Sequence, residues 1–314
     1  MMEAVVVGAG VSGLSCAIRL REAGWDVRVW TADPPLETVS AVAAAIWYPY
    51  HAEPLSVACA LGMRTFTVLA GLARDPESGV RLVDGVEYWN DAIPELWAES
   101  TLEPIARTPP ASIPEGHTGG HRFIAPVVEM PIYLPWLVRR FEAAGGTIET
   151  RRIASLAEVE APLVVNCTGL GASTVVPDGS MLPIRGQVVV VENPGLDEWI
   201  AAVDGDSVTY VIPRSGDCVL GGTSEKGAWS LEPDPASARS ILERCIRLEP
   251  RLAGARVLAH RVGLRPWHED GIRLESETTP GGRRIIHDYG HGGAGVTLSW
   301  GCAEEVVRLA GPPG

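Results

Sequence analysis

Residues 1–33 read MMEAVVVGAGVSGLSCAIRLREAGWDVRVWTAD, and their pattern predicts a strand–helix–strand unit. The short, valine-rich run at 4–7 suits one buried parallel strand. The apolar spacing at 12–23 predicts a helix that ends at Gly24, and the run at 25–30 predicts a second strand. Such a unit is typical of an α/β fold with a parallel sheet.

Glycines at 8, 10 and 13 connect the first strand to the helix in G-x-G-x-x-G spacing. Gly8 permits the tight turn, Gly10 lets a pyrophosphate approach the backbone, and Gly13 allows close helix–strand packing. The helix N-terminus offers N–H groups to the anion, and Asp33 lies near the expected position of a ribose-binding acid. An ordinary strand–helix corner with unrelated glycines is the alternative. The combination favours a Rossmann-type site for an adenine dinucleotide.

Composition limits the classes of function. The 314 residues exceed the size at which one core stops growing, so two closely joined domains are expected. A net charge of −13 and a pI near 5.0 argue against nucleic-acid partners and anionic membranes. No fully apolar run reaches eighteen residues and a strand is predicted from residue 4, so we expect neither a membrane-spanning helix nor a signal peptide. Only Lys226 is a lysine, which argues against Schiff-base chemistry.

The six cysteines, at 16, 59, 167, 218, 245 and 302, form no C-x-x-C pair. We expect reduced, buried thiols in a cytoplasmic protein. The sequence leaves open whether the protein is a monomer or a homodimer.

Further elements follow from local patterns. Helices are predicted at 55–72, from 130 to Gly145, at 235–248 and up to 309. Residues 80–90 predict a hairpin that turns at Asp84 and Gly85, and 101–121 predict an irregular surface. Strands are predicted at 123–128, 147–153, 163–169 and 284–289, and 261–275 reads as strand, turn and strand. The β runs at 184–192, 208–213 and 217–223 predict an antiparallel sheet in a second domain.

The stretch TVSAVAAAIWYPY at 38–50 is rich in small residues and then becomes aromatic. Small side chains let backbone approach a ligand, and Trp47, Tyr48 and Tyr50 are candidate pocket walls. Plain packing of a helix is the equally open alternative.

Nine motifs, in order along the chain, resemble the D-amino-acid oxidase family of flavoproteins. They are VVVGAGVSGLS (5–15), AVAAAIWYPY (41–50), VVNCTG (164–169), PIRGQ (183–187), YVIP (210–213), LGGT (220–223), VGLRP (262–266), RLE (273–275) and IIHDYGHGGAGVTLSWGCA (285–303). The resemblance implies an α/β fold in which a Rossmann-type FAD-binding domain is interleaved with an α+β substrate domain on a mixed or antiparallel sheet. We assign residues 1–46, 137–174 and 281–314 to the first domain and 47–136 and 175–280 to the second.

The resemblance implies FAD as the cofactor. The candidate FAD-binding residues are Gly8, Ala9, Gly10, Val11, Ser12, Gly13, Asp33, Ala44, Ala45, Ile46, Ile153, Thr168, Gly292, Gly293, Ala294, Gly295, Val296 and Thr297. The last six would begin a helix in glycines facing the flavin ring. Their N–H donors would then stabilise the charge that builds on the ring when a hydride arrives.

The same resemblance places Arg265 and Tyr210 on a substrate carboxylate and the Gly293 carbonyl on its amine. A guanidinium fork matches a carboxylate bidentately and stays charged. From residue type alone, Arg265 reads as a surface ion pair and Tyr210 as half-buried packing. We interpret His291 as a structural partner in the glycine turn rather than as a base.

The implied reaction is oxidative deamination of D-amino acids. A hydride would pass from the α-carbon to FAD, the imino acid would hydrolyse to a 2-oxo acid and ammonia, and dioxygen would become hydrogen peroxide. No base is needed if the amine arrives neutral. A D-aspartate oxidase, an NAD-dependent dehydrogenase and a non-catalytic flavin-binding subunit remain as alternatives. Ser224 stands where D-aspartate oxidases carry an arginine, which favours neutral D-amino acids.

Three positions depart from the family pattern. Ala32 stands where the ribose-binding acid is usual, so Asp33 would have to replace it, and Asp288 replaces an Asn or His. The segment at 193–209 is short, with Asp206 where a lid tyrosine would align. We therefore expect no long gating lid.

Overall fold

The computed structural model describes residues 2–50, 52–90, 92–205 and 207–313, whose strands form two sheets. The strands are β1 (Glu3–Val7), β2 (Asp26–Thr31), β3 (Val80–Trp89), β4 (Gly119–Val128), β5 (Thr147–Thr150), β6 (Leu163–Asn166), β7 (Met181–Glu192), β8 (Trp199–Asp204), β9 (Ser207–Pro213), β10 (Asp217–Gly221), β11 (Glu225–Lys226), β12 (Val257–His268), β13 (Arg273–Thr278) and β14 (Arg284–Tyr289). The helices are α1 (Val11–Glu22), α2 (Leu55–Leu72), α3 (Met130–Ala143), α4 (Ala172–Val175), α5 (Pro235–Leu248) and α6 (Gly295–Ala310).

The first sheet has the order β13-β14-β6-β1-β2-β5, and β1 pairs in parallel with both β2 and β6. Successive residues of β1 enter two cores because side chains alternate across a strand. Val6 packs with Leu14 and Trp300 on the side of α1 and α6, whereas Val5 packs with Leu156 on the other side. The predicted strand–helix–strand unit is confirmed.

The second sheet follows the path β11-β7-β10-β9-β8-β3-β4, with β12 also paired to β7. Its pairs are antiparallel except β3 with β8, which run parallel. Helix α5 packs on this sheet through Ile241 and Cys245, which join Val189 and Leu220 in one core. The expected mixed or antiparallel second sheet is confirmed.

The predicted hairpin at 80–90 is wrong. These residues form one continuous strand that pairs with β4 along its whole length. Gly85 is in the strand because the indole of Trp199 lies against it: a Cβ at Gly85 would be 2.2 Å from Trp199 Cδ2. A glycine inside a strand thus marks close packing here, not a turn.

The region at 101–121 has little regular structure before β4 begins, as predicted. It is not all surface, however, because Leu102 and Ile105 are buried.

The two strands of the predicted strand–turn–strand at 261–275 belong to different sheets. β12 pairs with β7 in the second sheet, whereas β13 pairs with β14 in the first. The division into domains stays a prediction, but β13 lies in the first sheet although the predicted boundary assigned 273–278 to the substrate domain.

Helix α2 is, within the described ranges, the one helix long and apolar enough to cross a membrane by length and composition. In this fold it packs closely on α6, where a Cβ at Gly301 would lie 2.1 Å from the Leu61 carbonyl oxygen. Core helices of soluble proteins pass the same compositional test, so the feature is weak evidence for a membrane span.

Candidate active site

Two cavities meet at the carboxyl end of the first sheet. A groove of about 850 Å³ passes over the glycine turn after β1, and a main cavity of about 640 Å³ lies between the two sheets. Val11, Val39 and Ser40 line both, so the two spaces adjoin. Their combined extent suits a dinucleotide that ends in a second ring system.

Eight of the predicted cofactor residues line the groove: Gly8, Ala9, Gly10, Val11, Ser12, Asp33, Ile153 and Thr168. Gly8 has φ +113°, and a Cβ there would lie 2.4 Å from the Cys167 carbonyl oxygen. Helix α1 begins with Gly10 as its N-cap, which has no side chain to cap the helix; the first amide, that of Val11, instead donates to Ser40 Oγ.

Gly13 does not line the groove. A Cβ at Gly13 would lie 1.9 Å from the carbonyl oxygen of Gly8, so this glycine lets α1 pack on the turn. Asp33 does line it, but its carboxylate forms an exposed ion pair with Arg152 at 3.2 Å.

The main cavity is lined by Ala44, Ala45, Ile46, Gly292, Gly293, Gly295, Val296 and Thr297, all predicted to face a flavin. Ala294, also predicted, is fully buried and lines neither cavity. Helix α6 starts here without a side-chain cap. Gly293 is backed by Tyr50, because a Cβ at 293 would be 2.6 Å from Tyr50 Cδ1. Two helix N-termini whose N-cap residues provide no capping side chain lie along these spaces and fit FAD, since a diphosphate and an electron-rich ring edge both favour N–H donors.

Arg265 lies on β12 with its guanidinium at the main cavity. Its Nη1 donates to the Thr223 carbonyl at 3.0 Å, and no carboxylate of the described residues forms an ion pair with it. The surface ion pair that its residue type suggests is therefore absent from that part of the chain. The guanidinium is a cation at the cavity with unused donor capacity.

Tyr210 on β9 lines the same cavity. Burial raises the pKa of its hydroxyl, and the nearby charge of Arg265 opposes that rise only in part. Tyr210 therefore remains a neutral hydrogen-bond donor beside the guanidinium. Its ring lies over Gly221, where a Cβ would be 2.0 Å from Tyr210 Cζ.

A second cation at this cavity, Arg244, was not predicted from the sequence. Arg244 on α5 donates from Nη2 to the Gly222 carbonyl at 2.9 Å, from Nε to Thr209 Oγ1 at 3.1 Å and from Nη1 to Ser240 Oγ at 2.7 Å. No carboxylate in the described ranges forms an ion pair with it. The helical pattern at 235–248 gave no signal for this contact, because a half-buried arginine on an amphipathic helix usually faces solvent.

One further missed residue, Ser40, comes from the stretch at 38–50. Ser40 Oγ accepts the Val11 N–H at 3.0 Å, so it reaches the first amide of α1. Tyr48 and Tyr50 line the main cavity as predicted, but Trp47 does not: it is fully buried, and its Nε1 donates to the Gly62 carbonyl. The stretch is not the helix of the alternative interpretation. It continues from a 3-10 turn into extended chain that pairs with β4.

The interpretation of His291 as a structural partner is consistent with its contacts. His291 is buried, and its Nε2 lies 3.0 Å from Asp288 Oδ1. The other oxygen of Asp288 accepts the Cys16 thiol at 3.2 Å. Asp288 thus connects His291, in the glycine turn before α6, to Cys16 on α1 through buried contacts.

The short segment at 193–209 forms β8 and the start of β9, with Ser207 and Val208 at the main cavity. Asp206, which aligns with a lid tyrosine, lies outside the described residues.

A model of the family described as "FAD dependent oxidoreductase" (DAO) matches residues 3–309. The chain is 54% identical to a D-amino-acid oxidase of Rubrobacter xylanophilus, which covers 98% of this chain and 96% of that protein. It is 50% identical to a D-amino-acid oxidase of Streptomyces coelicolor, with the same coverage. A human D-aspartate oxidase is 36% identical over 97% of this chain and 93% of its own. The glycine oxidase structure from Bacillus cereus superimposes with a TM-score of 0.82 at 18% identity, covering 100% of this chain and 96% of that one, which shows the shared fold.

Proposed function

The chain belongs to the FAD dependent oxidoreductase family, and on that premise we propose that it is an oxidase of D-amino acids. One observation carries the proposal: Arg265, beside the Tyr210 hydroxyl, lacks a described carboxylate partner in the cavity that joins the dinucleotide groove.

Each of these residues has a role that follows from its chemistry. Arg265 binds the substrate carboxylate through its planar fork, and Tyr210 adds a hydroxyl donor. The Gly293 carbonyl accepts a hydrogen bond from the amine, and the open turn of α6 directs N–H groups at the cavity. Holding both ends of the amino acid fixes which α-substituent faces the cofactor, so handedness is selected by orientation.

FAD, when bound, supplies the acceptor for the α-hydride and the electrons that reduce dioxygen to hydrogen peroxide. The protein contributes position and electrostatics. The imino acid product hydrolyses in water to the 2-oxo acid and ammonia.

The test is anaerobic mixing of the purified holoenzyme with D- and L-amino acids. We expect the yellow colour to bleach with D-amino acids only. Replacing Arg265→Ala removes one partner of a charged pair, which costs about 2–5 kcal/mol, or at least about thirtyfold in kcat/KM. The control is Arg256→Ala, whose exposed ion pair with Glu192 contributes little.

The other outcomes point to the alternatives. A colourless protein that needs added nicotinamide would be a dehydrogenase. Bound FAD that no D-amino acid reduces would indicate a non-catalytic subunit. Wild-type kinetics in Arg265→Ala would remove Arg265 from the site.

A second candidate substrate class is the acidic D-amino acids. Arg244 is the observation that favours it, because a second cation without a described carboxylate partner lines the same cavity. Ser224, at the position where an arginine is expected in D-aspartate oxidases, favours the neutral class.

For its setting, we propose a cytoplasmic enzyme whose partners are small molecules, with neither nucleic acid nor membrane. The acidic net charge and the six free thiols, five of them buried, support this proposal. A homodimer and a monomer both fit, and light scattering of the holoenzyme distinguishes them.

A further inference from the structure

A buried carboxylate lies directly behind the wall of the main cavity. Glu87 on β3 is 0% exposed, and the hydroxyl of the cavity-lining Tyr48 donates to its Oε1. Trp97 Nε1 donates to Oε2 at 2.6 Å. A fully buried carboxylate is costly unless it is bonded or used, and the roles assigned above do not use it.

His121 contacts the other carboxylate oxygen of Glu87 from the one that Tyr48 contacts. It is the cross-strand partner of Glu87 on β4, and its Nε2 is 3.0 Å from Oε2. The contact does not have the geometry of a hydrogen bond, and His121 Nε2 has no hydrogen-bond partner among the described residues. His121 is itself buried, with 8% of its surface exposed.

The hydrogen bonds to Glu87 come from two neutral donors, the Tyr48 hydroxyl and the Trp97 indole. No arginine in the described ranges forms an ion pair with it. The titratable or charged groups that face this cluster are His121 on β4, the Tyr48 and Tyr50 hydroxyls, the Cys59 thiol on α2 and Arg107, which stacks on Trp97. Burial and the Glu87 charge raise the pKa of Tyr48 well above its usual value. Tyr48 therefore keeps its proton and can pass one on only as it receives another.

Tyr48 is also fixed beside the turn to which the proposed function assigns the amine. Its N–H donates to Thr297 Oγ1 at 3.0 Å, and the Thr297 hydroxyl donates back to its carbonyl at 2.9 Å. Thr297 is in the first turn of α6, two residues beyond the start of the helix at Gly295. Tyr50, which backs Gly293, is on the same extended segment.

We propose that Tyr48 and Glu87 accept the proton that the substrate ammonium loses before its α-hydride can leave; this rests on the proposed function. One ammonium proton passes to Tyr48 Oη while the hydroxyl proton of Tyr48 passes to Glu87 Oε1. An ammonium and a carboxylate become an amine and a carboxylic acid, and no electrons move. The enzyme thus takes the zwitterion that predominates at neutral pH, instead of waiting for a neutral amine.

The experiment follows the anaerobic rate of FAD reduction against pH in wild type, Glu87→Gln and Tyr48→Phe. At about pH 7 we expect at least about a tenfold loss in both variants. At about pH 10, where the free amine is already neutral, both rates should return toward wild type. The acid limb of the profile therefore moves to higher pH. Glu198→Gln is the matched control, because that carboxylate pairs with Arg122 at the surface and should leave the limb in place.

A second measurement does not depend on turnover. Infrared difference spectra of holoenzyme reduced beforehand should show a protonated-carboxyl band when a D-amino acid binds. The band should be absent in Glu87→Gln and present in Glu198→Gln. Tyr48→Phe removes one hydroxyl, and it tests the path even if Glu87→Gln does not fold.

The outcomes separate the two proposals. If both variants lose the same factor in rate at every pH and wild type shows no carboxyl band, Glu87 only holds Tyr48 in place. That result would overturn the proton transfer through Tyr48 and Glu87 while D-amino-acid oxidation stands. Wild-type holoenzyme that no D-amino acid reduces at any pH would overturn the proposed function and the proton transfer through Tyr48 and Glu87 together.

Discussion

The guanidinium of Arg265 lies against the α-carbon of Gly186 on the neighbouring strand: a Cβ at 186 would be 2.4 Å from Arg265 Cζ. Arg265 pairs with Ile184, so Gly186 is its diagonal neighbour on the same face of the sheet. The glycine is thus part of how the sheet directs this cation to the cavity.

Gly186→Ala should therefore displace the guanidinium while leaving the fold and FAD content intact. We expect KM for the D-amino acid to rise at least about tenfold, which corresponds to about 1.4 kcal/mol of lost binding. Steady-state kinetics with FAD absorbance measure it. Gly179→Ala is the control, because a Cβ at Gly179 meets nothing within 4 Å. An unchanged KM in Gly186→Ala would show that the position of Arg265 does not depend on the absence of a side chain at 186.

Substitutions at Gly10 test whether the groove binds the diphosphate of FAD. A Cβ there lies 3.1 Å from Ser40 Oγ, so Gly10→Val places a branched side chain where the backbone must approach a diphosphate. We expect the FAD dissociation constant to rise about a hundredfold or more, measured by flavin fluorescence, with the apoprotein still folded by circular dichroism. Gly10→Ala, with a smaller group, should give an intermediate value. Tight FAD binding by Gly10→Val would place the diphosphate elsewhere.

Arg244 decides between substrate classes. We expect Arg244→Met to change kcat/KM for a neutral D-amino acid by less than about threefold and to lower that for D-aspartate at least about tenfold, because only an acidic side chain needs a second cation. Arg247→Met, exposed on the same helix, is the control. A large loss with neutral substrates would instead make Arg244 part of the common site.

The lowered pKa of Asp178 predicts that the free energy of unfolding depends on pH. Burial alone would raise its pKa, but hydrogen bonds from Tyr289 and Ser180 and the charges of His268 and Arg273 outweigh burial and hold that pKa below its usual value. A depressed pKa in the folded state gives stability that is present above the unfolded pKa of about 4 and is lost as pH falls through the folded value.

Asp178→Asn should therefore lower the free energy of unfolding by about 1–3 kcal/mol at pH 7, and by less as the pH falls below about 4. Urea unfolding at several pH values measures both effects. Glu192→Gln, which breaks an exposed pair, should change little at any pH. If the difference in free energy of unfolding from wild type stays constant with pH, Asp178 contributes through packing and hydrogen-bond geometry and not through its charge.

Local patterns predicted much of the fold. The β1–α1–β2 unit, α2 and α5 were correct because each is decided by residues that are neighbours in sequence: an apolar strand, a helical period, a glycine or proline at the end. The same local logic failed at Gly85. Its meaning depends on Trp199, more than a hundred residues away, and no short-range pattern contains that contact.

The site divides in the same way. The sequence by itself determined the turn through Gly8 and Gly10, because a strand, a tight turn and an open helix end follow one another along the backbone. Only the tertiary structure decided that Arg265 lacks a described carboxylate partner, that Arg244 shares its cavity, and that Tyr48 is bonded to a buried Glu87. Those facts depend on which charges two sheets bring together and which they hide from water. Solvation and ion pairing are properties of the packed molecule, and residue type does not determine them.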